Sequence, residues 1–445
     1  MSEERTAVEA VAEEVQENGE TAVGDWRLTA TVLLIGGLLL ALLGFLTSQV
    51  TFELERLFAY LMAALGGAAV LVGGSAVVRG ELPGRLVKET GGAGRYFGLS
   101  TGQVLLLLFA LCFSLLARVA AGDMLVARDG AVSAAAWLLA LICAAGGAMG
   151  EESLTDVPIT WSDIYFTAFL FGAALLLRGL ATEAIPTTFS GDEGGASLVA
   201  VQFANGNANN LFTVGWFDFP SLYFALQGMG IALLGNTVPA VRLVSALGGA
   251  LTVAGVYWLA RVTFDVTMAR IASLILLASH FHMHMSRIAL NNVWDGFFAA
   301  LAVAGLWYGW NRGRRFGFVA AGLCLGVGQY FYATIRVLPL VFLLWTAAAF
   351  FTERQQFRER LTGLIMTAYI ARIAALPMGL FYANHPDQLA ARSNHVTIFG
   401  EYMENEMAHS GRTSRQIMAD QFSMAARGLV NEPLRFYYQA GVPLL

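Results

Sequence analysis

Long apolar runs alternate with short polar breaks along most of the chain. Eleven such runs, at residues 28–48, 54–78, 102–121, 131–149, 164–180, 240–260, 271–284, 293–310, 316–332, 337–351 and 361–381, come at or near the ~20 residues that a helix needs to cross a bilayer core. The pattern predicts an all-α polytopic membrane bundle of about eleven transmembrane helices. One further apolar stretch, 220–234, follows Trp216-Phe217-Asp218-Phe219-Pro220. Aromatic residues and a proline at that point suit a helix that starts at headgroup level. Basic residues decide whether it crosses, because short cytoplasmic loops collect Lys and Arg. Four lie in 79–95, two in 261–270, three in 311–315 and three in 353–360. All four loops share one side, together with the N-terminus, only if 220–234 stays at the outer interface. The reading therefore puts the N-terminus in the cytoplasm, and residue 192 and the C-terminus outside.

Composition excludes a soluble domain. The 445 residues are 57% hydrophobic and 13% charged, with a mean hydropathy of +0.60, whereas soluble domains run near a quarter charged. A net charge of -5 without a basic block gives no reason to expect nucleic acid. Cys112, Cys143 and Cys324 each sit inside an apolar run without paired spacing, so no disulfide or metal framework follows. The first 25 residues hold eight acidic side chains and the single basic residue Arg5. That is the opposite of a leader's basic start, so an acidic cytoplasmic tail ahead of an uncleaved first span is expected. Three parts result: the tail (1–25), a Gly- and Ala-rich four-helix bundle (26–150) suited to packing or to docking membrane protein partners, and a region with long outer loops (151–445).

Nearly all the reactive side chains fall in that third part. The outer segment from Thr182 to Ala240 has no Lys or Arg, and in it stands Ser190-Gly191-Asp192-Glu193-Gly194-Gly195. Two adjacent carboxylates among glycines are either a solvated turn or an acid/base site. Two other outer turns each carry a lone arginine, Arg287 and Arg336, on the side where positive charge is disfavoured. They either snorkel to lipid phosphates or form an anion site beside the carboxylates. His280, His282 and His284 alternate, and His280 and His284 share a helix face. The metalloprotease pattern H-E-x-x-H is absent, so a divalent metal is a candidate and no cofactor is required.

The order of these features resembles the GT-C-type membrane glycosyltransferases, in the branch of the protein O-mannosyltransferases and lipid A aminoarabinose transferases. It is carried by Leu177-Arg178, Asp192-Glu193, Asn205-Gly206, Pro220-Ser221-Leu222-Tyr223 and the run from Ala240-Val241-Arg242 to Leu247. It continues through residues 282–287, residues 330–339 and His385-Pro386 with Arg392, and covers the chain from about residue 160 onward. The resemblance implies a GT-C-like core in which an acidic residue of the first outer loop activates an acceptor, which displaces a polyprenyl phosphate from a lipid-linked sugar with inversion. It implies Asp192 as base, with Glu193 positioning it or the acceptor. Arg287 and Arg336 would contact phosphate, and Tyr332, His282, His385 and Arg392 would line the pocket. The implied partners are membrane lipids and the lipid-linked sugar donor. Relatives run on past a phrase like Gly441-Val442-Pro443-Leu444-Leu445, which ends this sequence. A relative shortened there and extended by residues 1–150 supports a second reading, a non-catalytic glycosyltransferase-like subunit of a larger membrane assembly. A transporter would bury ionisable groups at mid-membrane, and here most charge sits at helix ends.

Overall fold

The computed structural model describes residues 2–51, 53–80, 97–149, 159–396, 398 and 400–430, with side chains placed for 26–51, 54–80, 97–149, 159–391, 398, 400 and 402–427. Most of the basic loop 79–95, and the phrase 441–445, lie outside the described residues. Among the described residues there are seventeen α-helices and no strand. The chain begins with α1 (Ser2–Val50), α2 (Glu53–Arg79), α3 (Thr101–Ala121), α4 (Gly130–Met149), α5 (Trp161–Gly179) and α6 (Gly191–Ala204). After a 3-10 turn (Trp216–Asp218) come α7 (Ser221–Leu234), α8 (Val238–Thr263), α9 (Val266–Ala278), α10 (His280–Met285), α11 (Val293–Arg312) and α12 (Arg315–Gly328). A second 3-10 turn (Ala333–Val337) leads into α13 (Leu338–Thr352), α14 (Arg354–Asn384), α15 (Pro386–Val396), α16 (Glu401–Ser410) and α17 (Ser414–Val430).

This is a multi-pass helical membrane protein. Helices α1 to α5, α8, α13 with its leading turn, and α14 provide eight segments long and apolar enough to cross a bilayer. The three other expected spans fall on α9, α11 and α12, of 13, 20 and 14 residues. The run 271–284 is two helices, because Ser279 accepts the His282 N–H at 3.4 Å and caps α10 as a new start. Helices α7, α9 and α12 are shorter than a lone span needs.

Small residues let the helices approach closely where lipid offers no hydrophobic drive. A Cβ on Gly66 of α2 would stand 2.4 Å from the Ala41 nitrogen of α1, and one on Gly317 of α12 would stand 2.5 Å from the Gly309 nitrogen of α11. Neither position accepts a side chain.

The core runs through α3, α4, α11, α12 and α14, around Phe113, Trp137, Phe298, Tyr330 and Phe381. One proline organises its centre. Pro377 has no N–H for the carbonyl of Ile373 four residues back, and the hydroxyl of Ser114 on α3 donates to that carbonyl at 2.7 Å. The next carbonyl, of Ala374, accepts from the Trp137 indole and the Tyr330 hydroxyl, each at 2.8 Å. A broken ladder inside a membrane needs such substitutes. The α3–α4 turn is completed from far away. Asn210 donates to the carbonyls of Ala121, Gly122 and Met124, Thr213 donates to that of Asp123, and Asn209 accepts the Ala127 N–H.

Candidate active site

The glycine-flanked acidic stretch is the first turn of α6 rather than a loop. Ser190 is its N-cap, accepting the Glu193 N–H, while the Glu193 carboxylate accepts the Ser190 N–H. This reciprocal capping box follows from Ser-x-x-Glu spacing, which the sequence displays at residues 190–193. The box fixes how the two acids differ. Glu193 at the third helical position turns inward, 1% exposed; Asp192 before it is only half-buried.

Glu193 is fully engaged. One carboxylate oxygen accepts from Arg242 Nε at 2.8 Å and from the Ala289 N–H at 2.9 Å; the other accepts from Arg242 Nη2 at 3.0 Å and from Ser190. Arg242, 1% exposed, also donates to the carbonyls of Thr182, Pro186 and Thr188, each at 2.8 Å. Asp192, in contrast, has no hydrogen-bond or ion-pair partner among the described residues.

Arg287 works on the same segment. Its Nη1 donates to the Leu177 carbonyl at 2.6 Å, its Nη2 to that of Leu180 and its Nε to that of Ile185 at 3.2 Å. Burial, and then the nearby Arg242, push the Arg287 guanidinium below its ordinary value. Between them Arg242 and Arg287 accommodate six backbone carbonyls of residues 177–188. A third arginine, Arg178, is wholly buried. Its Nη2 meets the carbonyl of Leu276 at 3.2 Å and His282 Nδ1 at 3.0 Å, while its Nε and Nη1, and His282 Nε2, have no partner among the described residues. Arg242 thus pairs with Glu193, Arg287 lies within reach of the Arg242 charge, and Arg178 serves a separate point on His282.

The opposite wall is held by Asp295, which the sequence analysis did not single out. Its carboxylate accepts from the Tyr332 N–H at 3.2 Å, the Ile335 N–H at 2.9 Å and the Thr334 hydroxyl. That anchors the 3-10 turn carrying Arg336, whose Nη2 donates to the Tyr382 hydroxyl at 2.6 Å and Nη1 to the Leu389 carbonyl at 3.1 Å. The Arg336 guanidinium also lies 4.7 Å from the Tyr382 ring centre. His385 ends α14, its ring stacked on Phe381 at 4.6 Å. The Arg392 side chain lies outside the described residues.

An aromatic chain joins the walls. The Trp216 indole packs where a Cβ on Gly195 of α6 would be, 2.2 Å from Nε1. Trp216 meets Phe219 at 6.1 Å between ring centres, and Phe219 meets Tyr332 at 5.1 Å. The backbone bends sharply here, with Phe217 and Asp218 both at φ 57°, a strained region for side-chain-bearing residues.

The structure thus sets Asp192 next to the Glu193–Arg242 pair with Arg287 nearby, His282 on Arg178, Tyr332 on Asp295, Arg336 on Tyr382 and His385 on Phe381. Among the described residues Arg287 and Arg336 have no partner in common. None of the described His, Cys, Asp and Glu side chains forms a group of three that could hold a metal. Arg242 and Arg178 stood in the quoted sequence phrases without a role; their importance appears only once Glu193 and His282 are seen against them. Asp295 had a weaker signal, an acid one turn into an apolar run.

No curated protein and no solved structure matches the chain. Residues 218–379, just over a third of it, match the family model of dolichyl-phosphate-mannose-protein mannosyltransferase. That stretch contains Arg242, His282, Arg287, Asp295, Tyr332 and Arg336 and leaves out Asp192 and Glu193. Over that stretch the chain is similar to a membrane glycosyltransferase family of the GT-C type.

Proposed function

We propose that the protein transfers a sugar from a polyprenyl-phosphate donor to an acceptor on the non-cytoplasmic side of the membrane, with Asp192 as general base. The observation that carries this is the contrast within one helical turn, where Glu193 is saturated by Arg242 and Asp192 is half-buried and unengaged. A base must be within reach of the proton it takes and not already committed. In the step, Asp192 takes the proton of the acceptor hydroxyl. The acceptor oxygen bonds to the anomeric carbon, and the bond from that carbon to the phosphate oxygen breaks, its electron pair leaving with the phosphate. Glu193 then serves as a positioning residue, and Tyr332, Arg336, His282, His385 and Arg392 as pocket residues. Residues 26–150 serve packing, with Arg118 lying over the Phe381 ring on which His385 stacks.

The test is Asp192→Asn in the full chain, assayed for transfer from a lipid-linked sugar. Turnover should fall by roughly a hundred- to ten-thousand-fold while donor binding persists. Transfer at the parent rate would remove Asp192 as base. If the parent chain transfers nothing from any polyprenyl-phosphate sugar, the non-catalytic subunit is the better reading.

A further inference from the structure

A cavity of about 740 Å³ opens between α11, α12, α13 and α14. Its walls are mostly apolar, with Leu325, Phe342, Leu343, Leu364 and Leu376 among them, and four polar side chains line it: Gln329, Thr346, Thr367 and Arg372. Arg372 is the anomaly. It stands twelve residues from the Asn384 end of α14 and eighteen from the Arg354 end, so ~18 Å and ~27 Å along the axis. That is the middle of a membrane helix. Arg372 is exposed and has no hydrogen bond, ion pair or ring contact among the described residues. The Thr346 hydroxyl beside it has no partner there either. Arg178, Arg242, Arg287 and Arg336, by contrast, sit near helix ends or in turns, with their donors satisfied wholly or in part.

We infer that this groove receives a transmembrane helix of another protein that presents a carboxylate to Arg372 at mid-bilayer. A charge in the hydrocarbon region is costly, faces a protein interior or an aqueous cavity, and pairs with an opposite charge. An apolar groove with one central cation is complementary to an apolar helix with one central anion. Lipid headgroups lie at the interface, on the order of 18 Å away along α14. A second copy of this chain has no suitable acid. Among its described membrane helices, Asp163 is bound by Tyr257 and Arg261, Asp295 by the 333–337 turn, and Glu55 by Arg128. Glu359 is only the sixth residue of α14. None is carried at mid-span.

The experiment uses the purified full chain in phosphatidylcholine vesicles with labelled Leu/Ala-rich transmembrane peptides. The peptides differ only at the central position, Glu or Leu, and association is read by energy transfer. The Glu peptide should associate roughly three- to tenfold more tightly than the Leu peptide, the range of a single interhelical polar contact in a membrane. Arg372→Leu should abolish the difference, and Arg372→Lys should retain most of it. Gly379→Leu, which fills the groove without touching the charge, should weaken binding of both peptides. Equal binding of the two peptides by the parent chain, or an undiminished preference in Arg372→Leu, would overturn the inference. So would release of the Glu peptide by added anionic lipid alone, which would identify a headgroup as the true ligand. Because Arg372→Lys and Gly379→Leu each keep a charge in the groove, a misfolded Arg372→Leu does not leave the question open.

Discussion

The two walls of the candidate site solve one problem with opposite charges. On the first, residues 177–188 make few backbone hydrogen bonds of their own, and their carbonyls are taken up by the guanidiniums of Arg242 and Arg287. On the second, the turn at 332–335 offers N–H groups, which the carboxylate of Asp295 accepts. A cation gathers acceptors and an anion gathers donors, because irregular backbone at the membrane edge must find partners inside the protein. The lesson is how to tell reactive from structural charge here. A charge enclosed by backbone groups holds the chain in place, and a charge without such an enclosure is available for chemistry. Glu193 and Asp192, adjacent in sequence, fall on opposite sides of that line.

The largest effect that would sharpen the comparison is expected at Arg242. Replacing it with Ala leaves Glu193 buried and three carbonyls unpaired, and removing one partner of a buried ion pair costs about 3–5 kcal/mol. The variant should melt far below the parent in detergent, followed by circular dichroism. Arg242→Ala combined with Glu193→Ala should lose less than the sum of the single losses; strict additivity would mean the pair is not coupled. Asp192→Asn, by contrast, should melt with the parent.

On the second wall, Asp295→Ala leaves the Tyr332 and Ile335 N–H groups without an acceptor, at ~1–3 kcal/mol for an unsatisfied buried group. Its stability loss should be smaller than that of Arg242→Ala, with donor affinity weakened because Arg336 rides on the same turn. An affinity equal to the parent's would separate the turn from the site. Between the walls, Gly195→Ala drives a methyl group into Trp216 and should cost ~1–3 kcal/mol, the usual range for overpacking, read by the same melt. The smallest effect belongs to Ser190→Ala, about 1 kcal/mol for a lost N-cap. A drop of several kcal/mol there would show that the capping box also holds the arginine pair together.

The helices were legible in the sequence because burial in lipid leaves an uninterrupted record, one apolar run per element. The break at Ser279 was not, since a capping hydroxyl inside an apolar run looks like any small residue. Asp192 was conspicuous because no basic residue shares its segment, and the same absence concealed the structural role of Glu193. Its partner Arg242 lies 49 residues away, and no local pattern encodes that distance. Asp295 was hidden for the same reason, its partners lying 37 to 40 residues downstream. Periodicity reports which face of an element is apolar. It says nothing of which distant charge closes a turn.

The α3–α4 turn sets a timetable. Within the hairpin Ala121 accepts from the Arg128 N–H and Gly122 from Arg118, but the Met124 carbonyl waits for Asn210, 86 residues later. At the ~5–20 residues per second of ribosomal synthesis, that donor arrives roughly 5–20 s after the turn has been made. During that interval the hairpin of α3 and α4 sits in the membrane with its Asp123 and Met124 carbonyls served by water, held apart from its final packing. The first half of the chain can therefore insert early but cannot finish folding until the segment beyond α6 has emerged. A ribosome stalled between residues 150 and 205 would leave a nascent chain with this turn still open, which a protease acting near Gly122 would cut and the completed protein would resist.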